Sequence, residues 1–217
     1  MPTVQSEQLP EFTASDLLSP GLWQPQARRP PLGIDITCTK VAVDFQNLTA
    51  ANADPVIKQN LDILRDATGT DVVFLALLDG AGARIDSVAA SRSLFTECRP
   101  EVLKGESLES LPWIRSRLEH VRIIEFRDTA LVRAEQAADA TRLAGLGIRS
   151  LLLIAFGVQG VVRGFLAFAS GQPRDGWDVN LHLLLKLVGT SLASGLERIA
   201  LAERLASVQE RQDLSLP

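Results

Sequence analysis

The chain has 217 residues, of which 46% are hydrophobic and 22% charged, a composition typical of folded globular proteins rather than disordered ones. Its formal net charge of −4 leaves no basic surplus that would indicate a nucleic-acid surface. No apolar run approaches the roughly 20 residues that span a bilayer, and the amino terminus shows no secretory signal. We therefore expect a cytoplasmic protein without a membrane or nucleic-acid partner.

Proline distribution divides the chain. Six of the eleven prolines fall within residues 1–33, where apolar residues show little periodicity, which predicts a flexible leader. Residues 34–199 are predicted to form one domain that includes an N-terminal helix. Residues 200–217 are predicted to be a C-terminal signalling helix or coiled-coil extension.

The first half of the domain begins with two predicted helices, at residues 36–48 and 54–68, the second of which starts at Asp54-Pro55. A continuous apolar run over 72–78, followed by Asp-Gly-Ala-Gly, predicts a buried strand in a hairpin with residues 84–90. The next predicted element is a helix over 107–119.

The second half begins with a short strand at 122–126 and an alanine-rich helix at 134–144. Residues 150–156 and 161–169 flank a glycine-rich turn and predict a second hairpin. A long helix follows at about 180–212. With both hairpins antiparallel, the order predicts an α+β fold with one central sheet covered by helices.

Several segments then resemble the GAF domain family. They are LGIRSLLLIAF (146–156), GFLAF (164–168), Trp177-Asp178 and Leu196-Glu197-Arg198, and the resemblance spans residues 54–198. It implies a roughly six-stranded antiparallel sheet with helices on both faces and a ligand pocket on one face. It also implies a small-molecule sensor that signals to an output module, such as a cyclic di-GMP enzyme, a histidine kinase or a transcription activator.

In this family the ligand lies beside the third strand, and the matching stretches supply the candidate ligand-binding residues. These are Arg92, Trp113, Arg115, Arg117, Phe126, Arg127, Thr129 and Ser150. Arginine guanidinium groups suit carboxylate or phosphate ligands, and the two aromatic rings can stack on a planar ligand. Arg149 belongs to the common strand pattern, so we expect a structural role for it.

The sequence lacks the motifs by which GAF domains bind particular ligands and cofactors. The chain has no Asn-Lys or Asp-Glu dipeptide, which cyclic-nucleotide-binding GAF domains carry, and no cysteine in residues 134–144 for a covalent bilin. Its two histidines lie far apart in sequence, which argues against haem or a metal site. We expect no cofactor, no metal, no catalytic residue and no enzyme activity.

Two alternatives stay open. One is a degenerate GAF domain that binds no small molecule and serves in dimerisation or docking. The other is a redox enzyme of the free methionine sulfoxide reductase type, which would use Cys38 and Cys98 as a disulfide-forming pair.

The sequence also predicts a homodimer, formed through the N-terminal helix and the long C-terminal helix, and the long helix carries the pattern for it. Its apolar residues recur in steps of three and four, close to the 3.5-residue spacing of a coiled coil. The predicted dimer residues are Leu181, Leu185, Val188, Leu192, Ile199 and, beyond a change of register, Leu205.

Overall fold

The structure is a computed structural model that describes residues 33–92, 98–119 and 123–213. The predicted leader, apart from Gly33, lies outside the described residues. The helices and strands are α1 (Ile34–Gln46), α2 (Ala53–Thr68), β1 (Val72–Leu78), β2 (Ile85–Ala90), α3 (Pro112–Leu118), β3 (Ile123–Phe126), α4 (Ala137–Gly145), β4 (Ser150–Val158), β5 (Val161–Ser170) and α5 (Val179–Asp213).

One antiparallel sheet organises the domain, in the order β2-β1-β5-β4-β3. Both predicted hairpins are confirmed as neighbours within it, and the α+β class is confirmed. The sheet has five strands among the described residues instead of the roughly six expected. Between β2 and β3 the chain forms 3₁₀ turns and α3, because Pro100 and Pro112 favour the start of helical turns over a central strand.

Pro112 also divides the helix predicted over residues 107–119. A 3₁₀ turn, Leu108–Ser110, comes first, and α3 starts at the proline, whose missing N–H is no loss at a first helical position. The helix predicted to begin at Asp54 instead has Asn52 as its N-cap. At the start of the last helix, the Asp178 carboxylate accepts the Asn180 N–H at 2.6 Å.

The central strands divide their side chains between two cores, because successive residues of a strand face opposite sides. On β4, Leu151 and Leu153 belong to core A, which α3 and α4 close, whereas Leu152 and Ile154 belong to core B, which α1, α2 and α5 close. The other strands of the centre alternate in the same way. The sheet is therefore buried on both faces.

Helix α5 covers core B with the face that was predicted to be the dimer seam. Its side chains are buried against the chain's own sheet and α1, so they are not available to a partner. An apolar stripe with steps of three and four serves a helix on its own sheet as well as a coiled coil. The buried seam residues are Leu181, Leu185, Val188 and Leu192; Ile199 is half-buried in the same core, and Leu205 is exposed.

The same helix is long and apolar enough to cross a membrane, with a mean hydropathy of 1.3 over its most apolar window. In the structure 44% of that window is buried inside the chain, because the helix covers core B. Packing within the domain thus accounts for much of its apolar character, and length and composition alone are weak evidence for a membrane span.

Candidate functional site

The candidate ligand face lies over core A, where Trp113 of α3 meets Phe126 at the end of β3. Their ring centroids are 5.3 Å apart and the rings are nearly perpendicular, an edge-to-face contact. Phe126 is buried and Trp113 half-buried. Among the described residues, the indole Nε1–H of Trp113 is buried without a hydrogen-bond partner. The two aromatic side chains therefore occupy space against each other, and one polar atom is left without a partner.

Asp139 of α4 holds α3 in place over this core. Its carboxylate is fully buried and accepts the backbone N–H of Ile114 at 2.7 Å and that of Trp113 at 3.2 Å. Burial raises the pKa of Asp139, and the two N–H donors oppose that shift. Sequence reasoning missed this residue. One feature of the sequence could have identified it: Asp139 lies next to Ala140 and four residues before Leu143. This spacing places a carboxylate on the apolar face of α4.

The loop after β3 is fixed to the start of β4. Thr129 donates its hydroxyl to the Ile148 carbonyl at 3.0 Å, and its backbone N–H to the Arg149 carbonyl at 2.8 Å. Arg149 donates two hydrogen bonds of 3.0 Å to Asp128. The Ala130 N–H and Arg149 hold the pKa of Asp128 below its usual range. Thr129 and Arg149 thus hold the loop, which agrees with the structural role expected for Arg149.

The other arginines of the candidate set lie at the surface, and each faces a partner. Arg115 pairs with Glu109 at 3.4 Å and Arg127 with Glu125 at 3.0 Å. The Arg117 guanidinium stands over the Trp113 ring, 5.4 Å from its centroid. Carboxylates thus match the charges of Arg115 and Arg127, whereas the charge of Arg117 lies over an aromatic ring.

Two candidate residues are not brought to this face. Arg92 follows β2, at the sheet edge opposite β3, and pairs with Asp62 of α2 at 3.4 Å. Ser150 shares its strand face with Leu152 and Ile154, which belong to core B, and donates its hydroxyl to the Gln172 carbonyl at 2.8 Å. The sequence placed both near the third strand, but strand order and strand alternation separate them from Trp113.

Two surface depressions are lined by residues of this face or by their neighbours in sequence. One, of about 340 Å³, borders Phe126 and Arg127, and another, of about 300 Å³, borders Pro112 and Arg115. The first also reaches the exposed Leu131 and the half-buried Gln136. Each depression therefore has an arginine at its border, and the first also includes Phe126 of core A.

The two thiols lie in different cores. Cys38 of α1 is buried in core B and Cys98 in core A, so the sheet separates them. Burial raises the pKa of both Cys38 and Cys98 to about 11. This arrangement offers no reactive thiolate and no pair positioned to form a disulfide.

Comparisons with known proteins bear on the fold. No family model matches the chain, and no curated protein matches it by sequence. Among solved structures, the phycoerythrobilin-bound GAF domain from a cyanobacterial phytochrome has a TM-score of 0.59 at 14% identity, covering 79% of this chain and 98% of that one. The phycocyanobilin-bound GAF domain from a cyanobacterial phytochrome has a TM-score of 0.61 at 15% identity, covering 79% and 97%.

A third match, the GAF domain of the cyanobacteriochrome TePixJ, has a TM-score of 0.53 at 14% identity and covers 72% of this chain and 95% of that one. All three matches span nearly the whole of their own domains, and they share the antiparallel sheet with flanking helices. The fold expected from the residue motifs is thereby confirmed, with one strand fewer than expected. The chain has the fold of a GAF domain.

Proposed function

We propose that this chain is a cytoplasmic sensor domain, regulatory and not catalytic, that binds a small molecule over core A and passes the signal to an output module through α5. The output module is either a further part of the same polypeptide or a separate protein. The fold supports this proposal, because the solved GAF domains it resembles include two with a bound bilin.

The observation that carries the proposal is that β4 contributes side chains to both core A and core B. Leu151 and Leu153 lie beneath α3 and α4, while Ile154, on the opposite face, packs against α5. A β-carbon placed at Gly189 of α5 would lie in ordinary contact with Phe156 of β4, at 3.6 Å. Any repacking over core A that moves β4 therefore also moves the surface on which α5 rests.

A second candidate function has its own support. The Trp113–Phe126 contact fills the centre of the candidate face, and the neighbouring arginines already have partners. A domain of this kind could act in docking or dimerisation without a small molecule. The two candidates differ in whether the face opens to a ligand.

The two cysteine thiols argue against covalent attachment of a bilin to this chain. Cys98 is buried, and its pKa of about 11 keeps it protonated at neutral pH. We expect no covalent adduct when the chain is incubated with phycocyanobilin and then denatured. The same burial, and the separation of the two thiols, argue against a disulfide-forming reductase.

The tryptophan indole signals of ¹⁵N-labelled chain test the sensor proposal. Trp113 lies on the candidate face, whereas Trp177 packs on Phe168 in core B, with ring centroids 6.3 Å apart, and serves as the internal control. Trp113→Phe and Trp177→Phe variants assign the two signals. The probes are phycocyanobilin, cyclic GMP, cyclic AMP and succinate.

A saturable shift of the Trp113 signal by one probe, larger than that of Trp177, supports the sensor. If every probe leaves the Trp113 signal and the melting temperature unchanged, the docking module is the better account. A shift confined to Trp177 would move the binding site to the other side of the sheet.

A further inference from the structure

The sheet has two edge strands, and the described residues form backbone hydrogen bonds with the outer side of only one of them. At the β2 edge, the Ile85 N–H donates to the Glu106 carbonyl at 2.9 Å, and the Ile85 carbonyl accepts the Gly105 N–H at 2.7 Å. At the other edge, β3 pairs with β4 alone. Alternate residues of an antiparallel strand direct their N–H and carbonyl groups away from the neighbouring strand. Strand β3 therefore presents outward backbone groups that have no backbone partner among the described residues.

The larger of the two surface depressions, of about 340 Å³, lies beside this edge. It is lined by Glu125 and Phe126 of β3 and by Leu131 of the loop that follows. Leu131 is 83% exposed, the largest exposed fraction of any large apolar side chain among the described residues. An extended segment would complete this arrangement, because its backbone can pair with the strand while an apolar side chain covers the leucine.

We propose that the chain's own leader pairs with the outer side of β3 as an added strand, through residues 11–19. This segment is the longest stretch of the leader without proline. Proline has no N–H to donate to a neighbouring strand, so the flanking prolines limit the length that can pair. Alternate residues of a strand lie on the same side, which puts Phe12 and Leu18 together on the side that would face Leu131.

The place of the leader in the chain supports this occupant. Residues 20–33 join the segment to α1 and would span about 45 Å when extended, against a diameter of roughly 40 Å for a domain of this size. Such a tether gives the segment an effective concentration on the order of millimolar at the domain surface. Charge also fits, because Glu11 and Asp16 are acidic. The exposed Arg133, which follows Val132 at the border of the depression, forms no ion pair with another described residue.

The test measures hydrogen exchange of the β3 amides that are not bonded to β4, by NMR of the ¹⁵N-labelled full chain at two concentrations tenfold apart. The variant combines Phe12→Asp with Leu18→Asp. Its matched control combines Leu22→Asp with Trp23→Asp, which places the same added charge in the leader outside the pairing segment. All four substitutions lie in the leader, so they leave the cores of the domain unchanged. The amides of the central strand β5 are the internal reference.

We expect these β3 amides to exchange at least about tenfold faster in the Phe12, Leu18 variant than in the wild type, and at the wild-type rate in the control. The β5 amides should exchange equally in all three chains. Equal β3 exchange in the wild type and the variant, or an equal increase in the control, would overturn the inference. Protection of β3 that rises with protein concentration would also overturn it, because the edge would then pair with a second copy. The inference does not rest on the proposed function, and the Trp113 indole reads ligand binding separately, so either can fail alone.

Discussion

Two glycines of α5 should respond in opposite directions to the same substitution. A β-carbon at Gly195 would lie well under 3.0 Å from the Phe45 carbonyl oxygen of α1 and 3.3 Å from the Leu48 side chain. A β-carbon at Gly189 would meet its nearest neighbour, Phe156, at an ordinary 3.6 Å. Both glycines are buried in the same helix, so Gly189→Ala is a matched control for Gly195→Ala.

The magnitudes follow from two opposing effects. Replacing a helical glycine by alanine stabilises a helix by about 1 kcal/mol, so we expect Gly189→Ala to raise the free energy of unfolding by about 0.5–1 kcal/mol. At Gly195 the same gain is opposed by overpacking, which costs about 1–3 kcal/mol or more when the obstacle is backbone that no rotamer can move aside. We expect a net loss of about 2 kcal/mol there.

The damage at Gly195 should also reach the polar contacts between α1 and α5. Arg198 donates to the carbonyls of Gln46 and Leu48, which stabilises the C-terminal end of α1. Moving α1 away from Gly195 weakens these bonds. Urea unfolding followed by circular dichroism measures both variants, and a difference of about 3 kcal/mol corresponds to roughly 6–12 °C in melting temperature. If Gly195→Ala is as stable as Gly189→Ala, the close crossing of α1 and α5 is wrong.

Two further predictions concern buried titratable groups. Asp139→Ala should lower the free energy of unfolding by about 2 kcal/mol, because it leaves the Ile114 N–H buried without an acceptor, while the exposed control Asp86→Ala changes it by less than about 0.5 kcal/mol. Burial raises the pKa of Asp139, so the folded chain holds this proton more tightly than the unfolded chain does. The contribution of Asp139 to the free energy of unfolding is therefore largest at low pH and is lost as the pH rises through the folded pKa. Asp139→Asn should remove this pH dependence in urea unfolding measured from about pH 3 to 7. The pKa of Cys38 and of Cys98 rises from 9.0 to about 11 by burial, so stability should fall as the pH rises from 9 to 11, and a Cys38→Ala, Cys98→Ala double variant should flatten this fall. A thiol reagent at pH 8 should label these cysteines quickly only in urea, and rapid labelling of the native chain would contradict their burial.

The sequence predicts the strands well because their signals are local. The predicted β1, residues 72–78, coincides with the strand observed, and the turn at Gly157–Gly160 marks the hairpin of β4 and β5. A short continuous apolar run bounded by glycines predicts a buried strand. The expected sixth strand, which is not found among the described residues, had no such run behind it, since it came from the family resemblance alone.

Which side of a helix faces the core is a different problem. The apolar residues of α5 recur almost all around its first turns, so the sequence shows two apolar faces without showing which one packs on the sheet. Only the packed structure shows that Leu185 and Val188 point inward and Leu183 and Leu187 outward. The assignment depends on long-range contacts with β4 and α1, which periodicity does not contain.

The candidate ligand face shows how far a family resemblance reaches. It places Trp113 and Phe126 together correctly, because both follow from the fold, but it does not say what else lies beside them. The sequence already indicated in part that the arginines pair with nearby carboxylates, since Glu125 lies two residues before Arg127. Because Arg115 and Arg127 are paired with carboxylates, the face does not present the free guanidinium groups that the resemblance led us to expect, and the structure instead adds a buried donor, the Trp113 Nε1–H, which has no partner among the described residues.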